Sequence, residues 1–320
     1  MNLNLLLSNI TSPAFLFFLL GILAVKLKSD LEIPANSSKF ISLYLLFSIG
    51  FKGGQELSNE VYSVEIFWSM LFGVAISFLI PLYTFFILKR KMNVFDAGAI
   101  AAAYGSVSAV TFVTAVSYLD YEKLNLHGHM VAIMALMESP AIIAGLILIS
   151  IYNKDEKTHI NKLSVIKHSL TNGSVLLIIG SLIIGLLANA KQAEGIKPFT
   201  NDIFKGFLAI FLLDMGIMSG RKLNSFISNG WFPLVFAIII PLCNGCLVSI
   251  LSSFITTDIS NRFMFAVLAA SASYIAVPAA MKLAAPKSNP GLYIPMALAI
   301  TFPLNITIGM PLYLAIIKMF

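Results

Sequence analysis

Charge is what this chain most lacks. Lys, Arg, Asp and Glu together make up 11% of its 320 residues, against about 25% in a soluble domain. A water-facing surface cannot be built from so few charges. This excludes the soluble two-domain protein that length alone suggests, together with a nucleic-acid binder and a secreted disulfide module. Cysteine is almost absent. Cys243 and Cys246 form one C-x-x-C inside an apolar run, with no further cysteine to complete a zinc site. Redox work needs a polar, accessible setting that the run does not offer, so both read as packing residues. There is no H-E-x-x-H, G-x-S-x-G or P-loop. An intramembrane enzyme would lack a nucleophile–base pair, and an ATP-driven pump would lack its nucleotide motif, so the chain reads as a non-enzyme. No basic residue precedes the first apolar run: Met1–Ser12 has none, and Lys26 and Lys28 follow the run. That is the reverse of a cleaved signal peptide and suits a first helix entering from outside.

Apolar residues are abundant, at 58%, with a mean hydropathy of +0.89. They come in uncharged runs, the longest being Val64–Leu88, Trp231–Ile255, Phe263–Met281 and Pro290–Ile317. Roughly 20 helical residues cross a hydrocarbon core of about 30 Å. The chain is therefore expected to be an all-α polytopic membrane protein. Ten candidate spans cover about 12–28, 36–53, 63–88, 96–119, 128–152, 172–190, 203–219, 230–256, 262–282 and 291–318. The first, second and seventh are short in purely apolar residues. The net charge of +6 is explained by loop lysines, because cytoplasmic loops collect Lys and Arg. With both termini outside, 14 of the 21 basic residues fall in inner loops. The expected location is the cell inner (plasma) membrane, multi-pass, with the lipid bilayer as partner.

The two halves repeat at a nearly constant separation. Gly21 matches Gly185, Pro34 matches Pro198, Ile49–Leu57 matches Met215–Leu223, Gly105–Ser108 matches Ala270–Ser273, and Pro140 matches Pro303. Residues 1–153 would be the first five-helix unit, 154–171 a short cytoplasmic linker and 172–320 the second unit. Because five is odd, the second unit enters from the opposite side. That is the inverted-topology repeat of many secondary transporters, whose sites lie near the midplane where corresponding helices are interrupted.

Spans four and nine carry the corresponding interruptions. One reads Tyr104-Gly105-Ser106-Val107-Ser108-Ala109-Val110-Thr111, the other Ser271-Ala272-Ser273-Tyr274-Ile275-Ala276-Val277-Pro278. Gly105 tolerates unusual dihedrals and Pro278 donates no backbone hydrogen bond. A break near each Ser-x-Ser leaves free N–H groups at a half-helix start, and two such ends make an anion site without a fixed cation. Small residues can also simply permit close helix packing. Glu138, in Met137-Glu138-Ser139-Pro140, is a carboxylate deep in span five, where charge is costly and usually functional. With the hydroxyls of Ser106, Ser108, Thr111, Ser271 and Ser273 and the amide oxygen of Asn305 it offers sodium hard oxygen ligands. A protonated helix-capping Glu138, or a proton site, is the alternative. Asp214 reads as structural, paired with Lys52. His127-Gly128-His129 in an outer loop is a poor metal site without a nearby carboxylate. The segment Asn153–Thr171 places Ile160, Leu163, Ile166 and Leu170 at helical spacing with Lys162, Lys167 and His168 between them. It reads as a solvated connector or a short helix on the membrane surface.

Phe47–Gly54, Tyr104–Ser108, Met137–Pro140, Ser271–Pro278 and Ser288-Asn289-Pro290 together give the chain its resemblance to the sodium-dependent bicarbonate transporter family (SbtA-like). The likeness runs from Ser12-Pro13 to Pro311-Leu312-Tyr313. It implies ten transmembrane helices in a 5+5 inverted repeat, assembled as a homotrimer. Helices 1, 2, 6 and 7 would form a scaffold, and helices 3–5 and 8–10 a core with broken, crossed helices 4 and 9. It places bicarbonate and sodium at Gly105, Ser106, Val107, Ser108 and Ala109 and at Ser271, Ala272, Ser273 and Tyr274, with Glu138 where the family has an acidic residue. Tyr274 is a departure: cyanobacterial members carry an acidic residue there. Those members also have a longer loop between helices 5 and 6 and bind a PII-like cytoplasmic regulator, which the short loop here does not support.

Energetics bear on coupling independently. Moving one negative charge into a negative-inside cell costs about 2.3 kcal/mol per 100 mV, so electroneutral uptake of a monovalent anion needs one co-transported cation. Sodium-coupled bicarbonate uptake by elevator-like alternating access is the expected function, with sodium as coupling ion and no other cofactor. Another small anion coupled to sodium or protons, a passive anion channel and a membrane sensor are the alternatives.

Overall fold

The computed structural model describes residues 13–60, 63–153, 173–227 and 230–320. The segment expected to be a connector or surface helix therefore lies, beyond Asn153, outside the described residues. Everything regular is helical: α1 Pro13–Lys26, α2 Ala35–Asn59, α3 Val64–Leu88, α4 Val94–Gly105, α5 Ala109–Tyr121, α6 Gly128–Tyr152, α7 Gly173–Leu187, α8 Ala190–Lys197, α9 Phe204–Ile227, α10 Trp231–Leu251, α11 Ile259–Ala270, α12 Ala276–Ala284 and α13 Pro290–Ile317. No strand occurs among the described residues. Among the described residues six stretches are long and apolar enough to cross a membrane, by length and composition: Val64–Leu88, Val94–Tyr121, Gly128–Tyr152, Ala190–Arg221, Trp231–Phe254 and Pro290–Ile317.

Starts are set by small polar caps, whose side chains accept the orphan N–H groups of the first turn. Ser63 accepts from Ile66, Asn93 from Asp96, Ser108 from Thr111, and Asp258 from Asn261. A reciprocal capping box of Asn189 and Gln192 nucleates α8, a helix for which hydropathy gives no signal. Helix α2 runs six residues past its apolar stretch (which ends at Gly53) to Asn59. The reason is tertiary. The Gln55 amide donates to the carbonyls of Gly185 and Ala188, the latter at 2.8 Å, and so closes the C-terminus of α7.

The helices sort into two bundles. In one, α2 packs on α7 and α1 on α9. These pairs meet backbone to backbone: a Cβ on Gly54 would stand 2.1 Å from the Leu182 carbonyl oxygen, and one on Gly216 would stand 2.1 Å from that of Phe18. In the other bundle α3, α4 and α6 pack together, as do α10, α11 and α13. Here Pro81, Pro140 and Pro241 sit inside α3, α6 and α10. Each withholds a backbone donor from the carbonyl four residues earlier. The Ala237 carbonyl freed by Pro241 accepts from Thr301, at 2.8 Å. Helix α13 loosens into π-helical turns at Met296–Thr301 and Asn305–Gly309.

Candidate functional site

Two helices are interrupted within the second bundle. Between α4 and α5 the chain is extended through Ser106-Val107-Ser108; between α11 and α12 it leaves the helix over Ser271–Ile275. The two interruptions touch. Ser273 N–H donates to the Ala103 carbonyl at 2.8 Å, and Ser108 N–H donates to the Ser271 hydroxyl at 3.1 Å. Each broken end thus closes part of the other's backbone, which answers the requirement that non-helical backbone inside a membrane be satisfied by protein. The C-terminus of α11 is sealed by two asparagines: Asn244 donates to the Ala269 carbonyl at 3.3 Å and Asn305 to that of Ala270 at 2.7 Å. Tyr83 and Tyr313 in turn donate to the Asn244 and Asn305 amide oxygens, the second at 3.0 Å.

The starts of α5 and α12 open on one cavity. Val107, Ser108 and Ala109 line it from the first interruption, and Ser273, Tyr274, Ile275 and Ala276 from the second. Glu138 and Met134 of α6 line it too, while Leu46 of α2 and Ile178 of α7 bring in the first bundle. About 30 Å³ is open to the centre of a water-sized sphere, room for roughly two or three such spheres, which suits an ion of a few heavy atoms. Side chains already take up some of the free N–H groups: Thr111 N–H donates to Ser108 and Val277 N–H to Ser273, at 3.2 and 3.4 Å. Pro278 has no N–H to offer. The donors left are the first N–H groups of α5 and α12, where the positive ends of two helix dipoles meet.

Glu138 is partly exposed on this cavity, and its carboxylate makes no hydrogen bond or ion pair with the described residues. Around it the backbone is braced by hydroxyls. Ser77 donates to the Met137 carbonyl at 2.6 Å and Ser106 to that of Glu138 at 3.4 Å.

The remaining expected residues, Tyr274 apart, lie one layer back. Gly105 packs against the Pro81 ring. Ser106, Ser271 and Ala272 are buried, the Ser271 hydroxyl also donating to Leu268 at 2.8 Å. Thr111 is buried at the first turn of α5. The Asn305 amide spans Ala270 and Tyr313. Tyr274 stands where the two bundles meet, its hydroxyl 3.6 Å from the Met215 sulfur of α9. The pairing expected between Asp214 and Lys52 is not formed. Asp214 accepts from Ser38, and the Lys52 ammonium lies 5.8 Å from the Phe204 ring centre. The expectation that no carboxylate lies near His127 and His129 also fails: Glu60 is 2.7 Å from His129. Sequence reasoning missed Leu46, Met134 and Ile178, apolar residues with no local signal. It also missed Asn244, whose polarity inside an apolar run could have flagged it.

A search among curated proteins finds no match to this chain. A family model does match, over residues 13–318. That range holds both interruptions, the cavity and all the described helices, and the chain belongs to the Na+-dependent bicarbonate transporter superfamily.

Proposed function

We propose that the chain is a secondary active transporter that takes up bicarbonate with sodium by alternating access. The observation that carries this reading is the cavity on which two helix N-termini and a carboxylate without a partner among the described residues converge. The helix ends attract an anion without a fixed cation to trap it. The Glu138 carboxylate, with the hydroxyls of Ser108 and Ser273 beside it, suits a hard monovalent cation. Binding both makes the cargo neutral, which removes the opposing membrane potential. In this reading α4–α5 and α11–α12 are the crossed fourth and ninth spans of an inverted ten-span repeat. The second bundle moves as a core against α1, α2, α7 and α9, and three copies assemble through that scaffold. Leu46 and Ile178 then form the stationary wall of the cavity. The end of the molecule bearing Glu60, Glu122 and Lys318 faces outward.

Tyr274, where related transporters have an acid, favours a second reading in which one cation accompanies a different small oxyanion. Radiolabelled bicarbonate uptake into proteoliposomes, with and without an inward sodium gradient at fixed pH and potential, separates the two. Uptake only with sodium supports the first; none from well-folded protein supports the second. In the first case Glu138→Gln should reduce uptake to its sodium-free level while preserving yield and elution. At 100 mV, inside negative, an uncoupled monovalent anion faces about 2.3 kcal/mol, or about a fifty-fold bar to accumulation. Normal sodium-driven uptake by Glu138→Gln would remove Glu138 from the coupling role.

A further inference from the structure

At the end of the molecule away from the lysine-rich loops, three elements are held together by a group of acids and histidines that transport does not explain. Glu60 follows the last turn of α2. His127 caps the start of α6, with Gly128 and His129 in its first turn. Asp258 caps α11. The Glu60 carboxylate accepts Gly128 N–H at 2.6 Å through one oxygen and His129 Nδ1–H at 2.7 Å through the other. The first oxygen is also 3.9 Å from His127 Nδ1, and His127 Nε2 is 3.4 Å from Asp258. The two rings lie side by side, centroids 5.8 Å apart. The turn sits directly on α2, since a Cβ on Gly128 would be 2.1 Å from the Gly53 carbonyl oxygen.

Each histidine spends one nitrogen on a carboxylate and keeps the other. A carboxylate only accepts, so His129 must carry its proton on Nδ1. Its Nε2 is buried and has no partner among the described residues. His129 itself is 4% exposed. On His127 the nitrogen left over is Nδ1, turned towards Glu60. A second proton on His127 therefore creates an imidazolium with a carboxylate on each side. The charged groups facing the pair from the neighbouring elements are Glu56 and Glu60 of α2 and Asp258 at α11, and all are acidic.

We propose that Glu60, His127, His129 and Asp258 form a proton-binding clasp that ties α2 to α6 and α11, so that acid on this face holds the two bundles together. The chemistry runs one way. The hydrogen bond to Asp258 raises the affinity of His127 for its proton against the opposing effect of burial. Burial works against the charged form of Glu60, but its bonds from His129 and Gly128 outweigh this and hold it below the ordinary carboxylate value. A closed clasp is thus favoured with both acids ionised and His127 charged, and it weakens as the pH rises. If His127 binds its proton one pKa unit more tightly when the clasp is closed, the closed-to-open ratio changes up to about tenfold across its titration. The gating consequence rests on the transport reading above; the proton site does not.

The test uses the full chain and two readouts. Hydrogen exchange over 54–60 and 126–132, corrected for intrinsic rates, is compared at pH 6 and pH 8. Wild-type protein should be about tenfold better protected at pH 6, and Glu60→Gln and Asp258→Asn should each shrink that difference. Sodium-driven uptake is then measured across the same external pH range at constant bicarbonate concentration. Wild-type uptake should rise towards pH 8, with a flatter profile in both variants. Equal protection at the two pH values in wild-type protein overturns the clasp. So does a pH difference that survives in both variants, or an uptake profile that all three proteins share. Absence of any bicarbonate uptake, with the exchange difference intact and removed by the variants, leaves the proton site standing and counts against the transport reading alone.

Discussion

Gly54→Ala tests the packing of α2 on α7, and the structure supplies its control. A methyl group at 54 would meet Leu182 O at 2.1 Å, Leu186 N at 2.7 Å and Gly185 C at 2.9 Å. All three atoms are backbone, so no rotamer can relieve the contact. Ordinary contact lies at about 3.5 Å or more, so α2 and α7 must separate by roughly 1 Å, which also strains the Gln55 bonds that close α7. Overpacking of this kind costs about 1–3 kcal/mol. Gly180, on α7 itself, has nothing within 4 Å of its Cβ position. Replacing it with Ala removes only the entropic cost of a helical glycine, a gain of about 0.5–1 kcal/mol. The expected result is a pair of opposite shifts in detergent melting temperature, with Gly54→Ala down and Gly180→Ala up. The assay is tryptophan or tag fluorescence followed through heating, with size exclusion to verify the folded fraction. If Gly54→Ala melts at or above the wild-type temperature, the two backbones are not in contact and the first bundle is assembled differently.

Asn305→Leu should lower the melting temperature by an amount equivalent to about 1–3 kcal/mol, because it strands the Ala270 carbonyl and leaves the Tyr313 hydroxyl only the Pro241 carbonyl at 3.4 Å; a melting curve superposable on wild type would show that the seal of α11 is dispensable. The clasp gives stability a pH window. His127 titrates above its ordinary 6.5, so its contribution is complete below that value and is lost as the pH rises through the folded pKa. Glu60 and Asp258 titrate below their ordinary 4.5 and 3.8, so theirs is complete above those values and is lost in stronger acid. The melting difference between wild type and Asp258→Asn should therefore be larger at pH 5.5 than at pH 8.5, and a difference that grows with pH would contradict the assignment.

Much of the fold was legible because membrane insertion writes itself in long apolar runs and because prolines and glycines mark interruptions. Ser106-Val107-Ser108 and Ser271-Ala272-Ser273 were visible as breaks, and both are breaks. Local pattern could not say what covers them. Leu46 and Ile178 reach the cavity only because α2 and α7 pack together, and leucine or isoleucine in a span looks the same whether it faces lipid, core or ligand. The end of α2 was misjudged for a related reason: Gln55 and Glu56 end the hydropathy signal, yet a partner helix uses Gln55 as its cap. The two histidines were judged without Glu60 and Asp258, which lie far off in sequence and meet them only in the folded chain. In the same way, Lys52 and Asp214 looked like natural partners by charge, but Ser38 is the nearer group.

The glycine contacts in the first bundle have a consequence for how the molecule is made. Gly54 lies against Gly185, and Gly21 against Gly216, so each pair joins a helix from the first half of the chain to one from the second. During synthesis α1 and α2 enter the bilayer long before α9 and α7 exist, and until then their glycine-lined faces have only lipid against them. Lipid cannot follow a bare backbone groove as closely as another helix does. Neither half can therefore finish its own share of this bundle. Assembly must wait for the second half, and the two halves, however alike, are not interchangeable with separately folded units.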